Sequence, residues 1–324
     1  MIDEKLIDRE NWEEHSVRKG DPKEPTYYII RRRFDDAGIF SNFIVFAGHI
    51  RYALSKGWIP VVDMQNYSSA ILEPEKLGKE NAWEYFFEQP FRIGLEQAYN
   101  AENVILSSGK FPPIAIPPWA STNYYDPKNI VMAEWRMFVK MGLLKVKPAL
   151  MNEINAERKK LFEPTDRVLG VYLRGTDYVS MKPKDHPIPP PEYVRDIMLQ
   201  KVREWRCNKI FLSTEDKTIV QFFKDTFGDG FGNFCVTIDR EYVDYKQGRV
   251  LNRLRLNREN DRFLNTKEYL TEMVILSKCN SFIASRCSGA TGVMMLSEGF
   301  ENTYAFDLGE YGVKPVDWRK LIGQ

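Results

Sequence analysis

The sequence predicts an α/β protein built on parallel β-sheets, and three observations support this fold class. Short apolar runs alternate with stretches in which apolar residues recur three and four positions apart, as strands alternate with helices. Residues 26–64 read as strand, helix and strand, a β-α-β unit whose crossover requires parallel pairing. Residues 165–306 repeat the alternation more regularly, which is typical of a doubly wound parallel sheet.

The elements of the first half follow from this alternation. "TYYIIRRR" is predicted to be the first strand, and a glycine turn, a helix that stops at Gly57 and a second strand follow it. Proline and aromatic residues are dense over residues 67–127, which predicts long irregular loops around short elements. Helical periodicity returns over residues 129–162 and ends in a connecting helix.

The second half is predicted to contain four strand–helix pairs and a closing strand. In chain order these are "VLGVYLR", "PPEYVRDIMLQKVREWR", "KIFLST", "TIVQFFKDTFG", "FCVTI", "TKEYLTEMVILSKC", "SFIAS", "GATGVMMLSEGF" and "TYAFD". We divide the chain into a polar N-terminal arm (1–25), an N-terminal α/β domain (26–162) and a C-terminal Rossmann-like domain (163–324).

Composition excludes several classes of protein. The 324 residues carry 46 Lys and Arg against 45 Asp and Glu, so the net charge of +1 gives no overall attraction to nucleic acid. No apolar stretch has the length of a signal-peptide core or a membrane span, so we expect a soluble, cytoplasmic protein without integral membrane association. Four cysteines without a Cys-x-x-Cys pair and three scattered histidines predict buried thiols rather than a zinc site.

The first candidate site lies where the strand "VLGVYL" ends in Arg174. In open parallel sheets ligands bind outside the carboxyl ends of the strands, and a guanidinium there suits a phosphate because it donates two parallel hydrogen bonds. Asp177 follows, either to hold that guanidinium or to cap the next turn. A structural ion pair between Arg174 and Asp177 is the alternative interpretation.

Two further strand ends have the same character. "STED" (213–216) can cap the next helix or bind a hydroxyl-rich ligand, and "SRCSGATG" (285–292) opens a helix with small residues whose free amides suit phosphate. Helix capping and tight packing explain each stretch equally well in isolation. Together the three ends point to a nucleoside diphosphate, and the absence of Walker and Gly-x-Gly-x-x-Gly sequences argues against kinases and nicotinamide enzymes. No Asp-x-Asp metal motif is present, so arginine and helix amides would neutralise the phosphates.

These segments resemble the motifs of the fucosyltransferase superfamily, which includes α-1,6-fucosyltransferases, nodulation fucosyltransferases and, more distantly, α-1,2- and protein O-fucosyltransferases. "GVYLRGTDY" is similar to the family's first motif, a strand running into His-x-Arg-Arg-x-Asp, and "HPIPPPEYV" is similar to the segment after it. "IFLSTEDKTIVQFFKDTF" and "EYLTEMVILSKCNSFIASRCSG" resemble the second and third motifs. The resemblance covers residues 165–300 and, more loosely, "AGIFSNFIVFAGHIRYA" in the first half.

The resemblance implies a GT-B-like enzyme: two Rossmann-like α/β domains with parallel sheets face a cleft, the C-terminal domain binds a GDP-sugar, and the sugar is transferred with inversion and without a metal or cofactor. Arg174 would grip the β-phosphate with help from Ser288, and Glu272 would recognise guanine. The other donor-binding candidates are Tyr172, Gly38, Thr214, Glu215, Asp216, Ser285, Arg286, Cys287 and Gly289, and the acceptor-side candidates are Asn42 and His186.

The chain departs from the family pattern at several of these positions. Tyr172 stands where the family has a histidine near guanine, Gly175 replaces the second arginine, and Arg286 replaces a phenylalanine. Tyr178 and Lys182 occupy positions where core α-1,6 enzymes carry a glutamate and a lysine near the acceptor. We therefore expect acceptor chemistry that differs from that of the α-1,6 enzymes.

The catalytic candidates are Arg174, Asp177 and Asp36. Arg174 would stabilise the leaving diphosphate, while Asp36 would take the proton of the acceptor hydroxyl. Asp35 and His186 are rivals for the base, and "FDDAG" also reads as a turn with solvated aspartates.

The predicted function is transfer of fucose from GDP-fucose to a glycan hydroxyl in surface polysaccharide or lipopolysaccharide synthesis, with peripheral contact to a lipid-linked acceptor as an option. Two alternatives stay open. One is transfer from another GDP-sugar, and the other is a non-catalytic protein that binds nucleotide or glycan.

Overall fold

The computed structural model describes residues 2–34, 36–118, 122–175, 189–244 and 256–308, which fold into two compact units. Unit 1 comprises Met1–Pro117, Glu134–Asn152 and Asn257–Lys267, and unit 2 comprises Pro118–Ala133, Glu153–Leu256 and Glu268–Gln324. Each unit thus draws on several segments of the chain, whereas the sequence analysis divides the chain at a single position near residue 163.

Unit 1 contains a four-stranded mixed sheet with the strand order β1-β4-β2-β3. The strands are β1 (His15–Arg18), β2 (Thr26–Ile30), β3 (Ile59–Val62) and β4 (Asn103–Leu106). β2 pairs in parallel with β3 and β4, and β1 is antiparallel to β4. The β-α-β unit predicted from the sequence is confirmed, with helix α1 (Ile39–Ser55) between β2 and β3.

Three more helices belong wholly or in part to unit 1. One is short, and the other two contain a boundary between the units. They are α2 (Leu95–Tyr99), α3 (Ile130–Lys140) and α4 (Pro148–Leu161), together with 3-10 turns at Glu4–Leu6, Pro74–Lys76 and Ala82–Tyr85. α1 buries aromatic side chains at helical spacing, and its Phe43 and Phe46 pack against Phe87 and Trp83, whose own rings stack 4.3 Å apart.

The segment predicted as a polar arm contributes β1 to the sheet of unit 1. Arg31, directly after β2, is fully buried and donates hydrogen bonds to the backbone carbonyls of Asp8, Asn11 (2.6 Å), Glu13 (3.2 Å) and Ser107 (2.9 Å). Since a buried guanidinium without acceptors is costly, these carbonyls and the charge stabilise each other. The first residues of the chain are therefore joined to the sheet.

Unit 2 contains a five-stranded sheet with the order β7-β6-β5-β8-β9, in which every neighbouring pair is parallel. The strands are β5 (Val168–Tyr172), β6 (Lys209–Ser213), β7 (Cys235–Val236), β8 (Ser281–Ser285) and β9 (Asn302–Phe306). All five match predicted strands. The helices are α5 (Pro191–Glu204), α6 (Lys217–Phe227), α7 (Asp261–Ser277) and α8 (Ser288–Leu296), with 3-10 turns at Thr122–Tyr125 and Gly228–Gly230.

Strand order in unit 2 reverses at β5. The chain moves outward through β6 and β7 on one side and through β8 and β9 on the other, so the switch point lies between β5 and β8. Both strands are buried at every residue, as expected for the centre of a parallel sheet covered on both faces. Ligands of such sheets bind at the carboxyl ends beside this switch point.

Three smaller findings bear on the other predictions. The four cysteines are free and buried, as predicted. Among the described residues, none of the helices has the length and apolar character of a membrane span. No group of three or more His, Cys, Asp or Glu side chains suited to a metal ion is found in the same part of the chain.

Candidate functional site

The carboxyl edge of the unit 2 sheet brings together most of the predicted donor-binding residues. Tyr172, the last residue of β5, pairs in register with Ser213 of β6 and Ala284 of β8. Arg174 lies two residues beyond β5 and is half-buried. Its position at the switch point is the one predicted from the sequence.

Arg174 acts electrostatically on a buried group of side chains at this edge. Burial raises the pKa of Tyr172, Tyr269 and Cys287, and the positive charge of Arg174 opposes that shift at all three. The two tyrosine hydroxyls lie 3.0 Å apart and share a hydrogen bond. Two buried hydroxyls and a buried thiol therefore lie within the electrostatic reach of this guanidinium.

The start of α8 packs tightly against the tyrosine pair. A Cβ added at Gly289 would lie 2.3 Å from the Tyr269 hydroxyl and 3.1 Å from that of Tyr172, so glycine is required by this close approach. Cys287 is the N-cap residue, and its sulfur accepts a hydrogen bond of 3.4 Å from the amide of Ala290. Ser288 is half-buried in the first turn, as its proposed contact with phosphate would require.

At the end of β6, some polar side chains cap the next helix, and one buried carboxyl group does not. Asp216 caps α6, because its carboxylate accepts hydrogen bonds from the amides of Thr218 (2.7 Å) and Ile219 (3.3 Å). The Thr214 hydroxyl accepts from the amide of Asp216 at 3.3 Å. The capping interpretation therefore accounts for Asp216 and Thr214 as the structure shows them, while Glu215 is buried and adds negative charge to the edge.

Gly175 is explained by its contact with the same cap. A Cβ at this position would lie 2.5 Å from both the Cβ and the Oδ2 atom of Asp216. A larger side chain at this position would displace the capping aspartate, so glycine here preserves the N-cap of α6.

Glu272 of α7 is fully buried at this edge and is held by an arginine. Arg240 Nη1 donates to Glu272 Oε2 at 2.9 Å, and Arg240 Nη2 lies 3.6 Å from Glu268. Burial raises the pKa of Glu272 to about 8, Arg240 lowers it, and Glu215 raises it. The Ser213 hydroxyl approaches closely enough to favour the charged form, without reaching hydrogen-bond geometry.

Three buried oxygen atoms at this edge have no hydrogen-bond partner among the described residues. They are Glu272 Oε1, Ser213 Oγ and Ser285 Oγ. Ser213 and Ser285 end the strands that flank β5 on its two sides. Ser285 follows Ala284, which is in register with Ser213, so the two hydroxyls lie on opposite faces of the sheet at this edge. Since buried polar atoms are nearly always paired, these atoms mark positions where a ligand or water completes the network. Arg286, next to Ser285, is buried at 8% exposure.

The unit 1 candidates lie in the loop between β2 and α1. Gly38 is the N-cap residue of α1 and offers no side-chain cap. Asn42, in the first turn, is buried, donates through Nδ2 to the carbonyl of Ala37 (3.2 Å) and accepts from Arg32 Nη1 (2.9 Å). Asp36 is half-buried in the same loop.

Three predicted residues lie outside the described part of the chain. They are Asp177, His186 and Asp35. Their roles stay predictions. His49, in contrast, is part of the core: it is buried, lies 3.0 Å from the Tyr28 hydroxyl, donates to the carbonyl of Lys110 (3.0 Å), and has its pKa lowered by burial to about 4.

Sequence reasoning missed Arg240 and Tyr269. Arg240 lies four residues beyond β7, on the carboxyl side of that strand, so the rule that pointed to Arg174 extends to it. Tyr269 lies on α7 one turn before Glu272, a spacing that puts both side chains on one helix face. Arg240 lies outside the segments that carry the resemblance, and Tyr269 lies within "EYLTEMVILSKC" but was not singled out there.

The fold is similar to that of solved fucosyltransferases, which confirms the fold class predicted from the sequence. The chain is similar to the fucosyltransferase NodZ from Bradyrhizobium, with 15% identity, 89% of this chain and 97% of that chain covered, and a TM-score of 0.50. It is also similar to POFUT1 in complex with GDP, with 8% identity, 87% and 99% coverage and a TM-score of 0.51.

A mutant of Arabidopsis thaliana FUT1 in complex with GDP gives 10% identity, 96% and 76% coverage and a TM-score of 0.51. No protein-family model and no curated protein sequence matches the chain. At identities this low, the likeness is one of fold, and function has to be argued from the residues.

Proposed function

We propose that the protein is an inverting, metal-independent glycosyltransferase that moves fucose from GDP-fucose to a hydroxyl group of a glycan. Solved structures with this fold include NodZ soaked with GDP-fucose and POFUT1 with GDP. These structures support a GDP-sugar as the donor. The residues of unit 2 supply the rest of the argument.

The observation that carries the proposal is the set of three buried oxygens without a described partner at the carboxyl edge of the unit 2 sheet. Glu272 Oε1, Ser213 Oγ and Ser285 Oγ are shielded from water yet make no hydrogen bond within the described residues. A purely structural arrangement would leave these atoms at a cost of roughly 1–3 kcal/mol each. A nucleotide with hydrogen-bond donors and acceptors would pair them.

Glu272 suits the guanine base in this proposal. Arg240 holds Oε2 and so fixes the orientation of the carboxyl group, while Oε1 can accept hydrogen bonds when the group is ionised. Guanine presents N–H donors on one edge, and a carboxylate is an acceptor-only group when ionised. The sugar diphosphate would then extend toward Arg174 and the amides at the start of α8.

The chemistry assigned to these residues is a single displacement. The acceptor oxygen forms a bond to the anomeric carbon as the bond to the β-phosphate oxygen breaks, and GDP leaves with the electron pair. Arg174 and the first amides of α8 stabilise the charge that develops on the leaving phosphate, which is the task that a metal performs in other transferases. The acceptor proton passes to a carboxylate, for which Asp36 is the proposed base.

Substitution of Arg174 by alanine tests this assignment. We expect turnover of GDP-fucose, measured as release of GDP with a glycan panel or water as acceptor, to fall more than about a hundredfold. Arg203→Ala, which removes an exposed guanidinium from α5, is the matched control and should leave turnover unchanged. Near-normal turnover of Arg174→Ala in a folded protein would refute the role of this residue.

Two further measurements separate the proposal from its alternatives. A chelator should leave turnover unchanged if the enzyme needs no metal, and calorimetry with GDP-fucose and other GDP-hexoses should rank the donors. Saturable binding of GDP-sugar without product in a single turnover would favour a non-catalytic protein. The surface-glycan acceptor and the cytoplasmic location rest on the sequence alone and form part of the proposal.

A further inference from the structure

Unit 1 contains a cation that the described residues do not neutralise. Arg32, two residues beyond β2, donates through Nη1 to Asn42 Oδ1 at 2.9 Å and through Nη2 to Ser41 Oγ at 3.2 Å. Within the described part of the chain, no carboxylate forms an ion pair with it. Burial alone lowers the pKa of Arg32 to about 10, so the side chain remains charged at neutral pH.

The surroundings of Arg32 add to this positive charge. Ser41 and Asn42, which hold the guanidinium, lie in the first turn of α1, where the helix dipole is positive. That turn contains no acidic residue, and the N-cap Gly38 supplies no side-chain acceptor. A half-buried cation beside the positive end of a 17-residue helix is unfavourable unless an anion joins it.

The neighbouring arginine shows what a purely structural guanidinium looks like in this unit. Arg31 is fully buried, and four backbone carbonyls accept from it. Arg32 uses two of its five N–H groups on neutral side chains, which fix its orientation without cancelling its charge. An anchor for α1 would need no charge, because a neutral donor would serve Asn42 and Ser41 equally well.

An exposed aromatic ring lies directly beside this cation. The centre of the Phe34 ring is 5.6 Å from the guanidinium carbon of Arg32, and Phe34 is 61% exposed. The apolar faces of sugar rings pack on aromatic surfaces of this kind. Cation and ring together match a ligand that has both an apolar ring face and an anionic group.

We propose that Arg32 and Phe34 bind an acidic sugar residue of the acceptor, so that the enzyme selects anionic glycans. This inference rests on the proposed function, since it assigns the acceptor of that reaction. The anion is a carboxylate, as in a uronic acid, or a phosphate on the sugar, because a guanidinium binds both through paired hydrogen bonds. Asn42 and Ser41 position the guanidinium and do not themselves contact the anion.

The test compares charged and neutral acceptors on the full chain. Matched oligosaccharides that end in glucuronate, galacturonate, glucose, galactose or glucose 6-phosphate are titrated by calorimetry, with and without GDP, and then used as acceptors. We expect one of the acidic members to bind at least about tenfold more tightly than its neutral counterpart. The carboxylate and phosphate members identify which anion is recognised.

Arg32→Gln should abolish this preference and leave the affinity for GDP and for neutral sugars unchanged. Arg33→Gln, which removes an exposed positive charge one residue away, should retain the preference. Arg32→Lys keeps the positive charge but loses the paired donors of the guanidinium, so it should retain part of the preference for acidic sugars. Unfolding temperatures of the three variants check that each is folded.

Three results would overturn the inference. These are equal binding of acidic and neutral members across the panel, an equal loss in Arg32→Gln and Arg33→Gln, or a loss of GDP affinity in Arg32→Gln with no change in acceptor preference. The last result would assign Arg32 to the donor phosphates. Failure of the wild-type protein to bind GDP at all would instead count against the proposed function.

Discussion

The strand ends of the two units differ in how their buried polar groups are satisfied. In unit 1, Asp63 follows β3 and is 1% exposed, yet its carboxylate accepts from the Asn66 amide group (2.8 Å), the Tyr99 hydroxyl (2.8 Å) and the backbone amides of Gln65 and Asn66 (both 2.9 Å). In unit 2, Glu272 is equally buried, but only one of its oxygens has a described partner.

This difference separates polar groups that hold a fold together from those that await a ligand. The hydrogen-bonding capacity of Asp63 is satisfied by the protein itself, so its hydrogen bonds contribute to stability in the free state. In unit 2, one oxygen each of Glu272, Ser213 and Ser285 lacks a described hydrogen-bond partner. We expect these atoms to contribute to the free energy of ligand binding. Asp63 and Glu272 are both buried carboxyl groups, and the hydrogen bonds made by their two oxygens distinguish them.

The largest expected effect is on the stability of unit 1. Asp63→Ala should leave the Asn66 and Tyr99 donors unpaired and lower the free energy of unfolding by roughly 3–5 kcal/mol. Ser213→Ala should leave it unchanged or raise it by up to about 3 kcal/mol, because this buried hydroxyl has no described partner to lose. Urea unfolding of both variants measures the contrast, and GDP affinity should fall only in Ser213→Ala. Equal destabilisation would remove the distinction between the two edges.

The next largest effect is the dependence of GDP affinity on pH, which we expect Glu272 to cause. Because burial raises its pKa to about 8, the carboxyl group holds a proton at neutral pH that the unfolded chain, with a value near 4.5, has released. Its contribution to stability therefore falls as pH rises from 4.5 to 8, and it becomes a better acceptor for guanine over the same range. GDP affinity should rise up to about tenfold per pH unit on the approach to pH 8 and then level off.

Calorimetry from pH 6.5 to 8.5 measures that rise. In Glu272→Gln the affinity should be lower and independent of pH over this range, since an amide does not titrate. A wild-type profile that is flat, or one that falls with increasing pH, would show that Glu272 does not accept a hydrogen bond from the base.

A steric test concerns the start of α8. Gly289→Ala places a methyl group 2.3 Å from the Tyr269 hydroxyl, which should shift the helix start, destabilise the protein by roughly 1–3 kcal/mol and weaken GDP binding. Tyr269→Phe removes the clashing oxygen. The double variant should therefore be more stable than the sum of the two single changes predicts. Strict additivity in a double-mutant cycle would contradict the close approach.

The smallest effect is expected at Asp216. Asp216→Ala removes the cap of α6 and should cost about 1 kcal/mol of stability, whereas Asp216→Asn, which can still accept the Thr218 amide, should cost less. GDP affinity should be nearly unchanged in both variants, as measured by calorimetry. A large loss of GDP affinity with normal stability would instead show that Asp216 binds the donor, as the resemblance predicts.

Much of unit 2 could be predicted from the sequence because buried parallel strands are continuous apolar runs bounded by helices. "VLGVY", "KIFLS" and "SFIAS" coincide with β5, β6 and β8. In unit 1 the four residues of β4 lie in a region rich in proline and aromatics, and β1 lies among charged residues. Neither strand therefore shows the alternation of apolar and polar residues that predicts a strand. Both strands exist because tertiary pairing with β2 and with each other overrides local preference.

The place of a residue in the sheet was predictable where it lies at a strand end. Arg174, Ser213 and Ser285 could be placed in this way because parallel strands bring their carboxyl ends to one edge, and their roles in binding stay predictions. Arg240 and Tyr269 required the structure, since their importance comes from contacts with Glu272 and Tyr172 over more than 30 residues of chain. The capping role of Asp216 was foreseen as an alternative, and only the amide distances favour it.

The account can be tested most directly by a crystal structure of the chain with GDP. It predicts the base with its N–H groups within hydrogen-bond distance of Glu272 Oε1, the Ser213 and Ser285 hydroxyls paired, and the diphosphate against Arg174 and the first turn of α8. A nucleotide bound elsewhere, with those three oxygens still lacking partners, would contradict it.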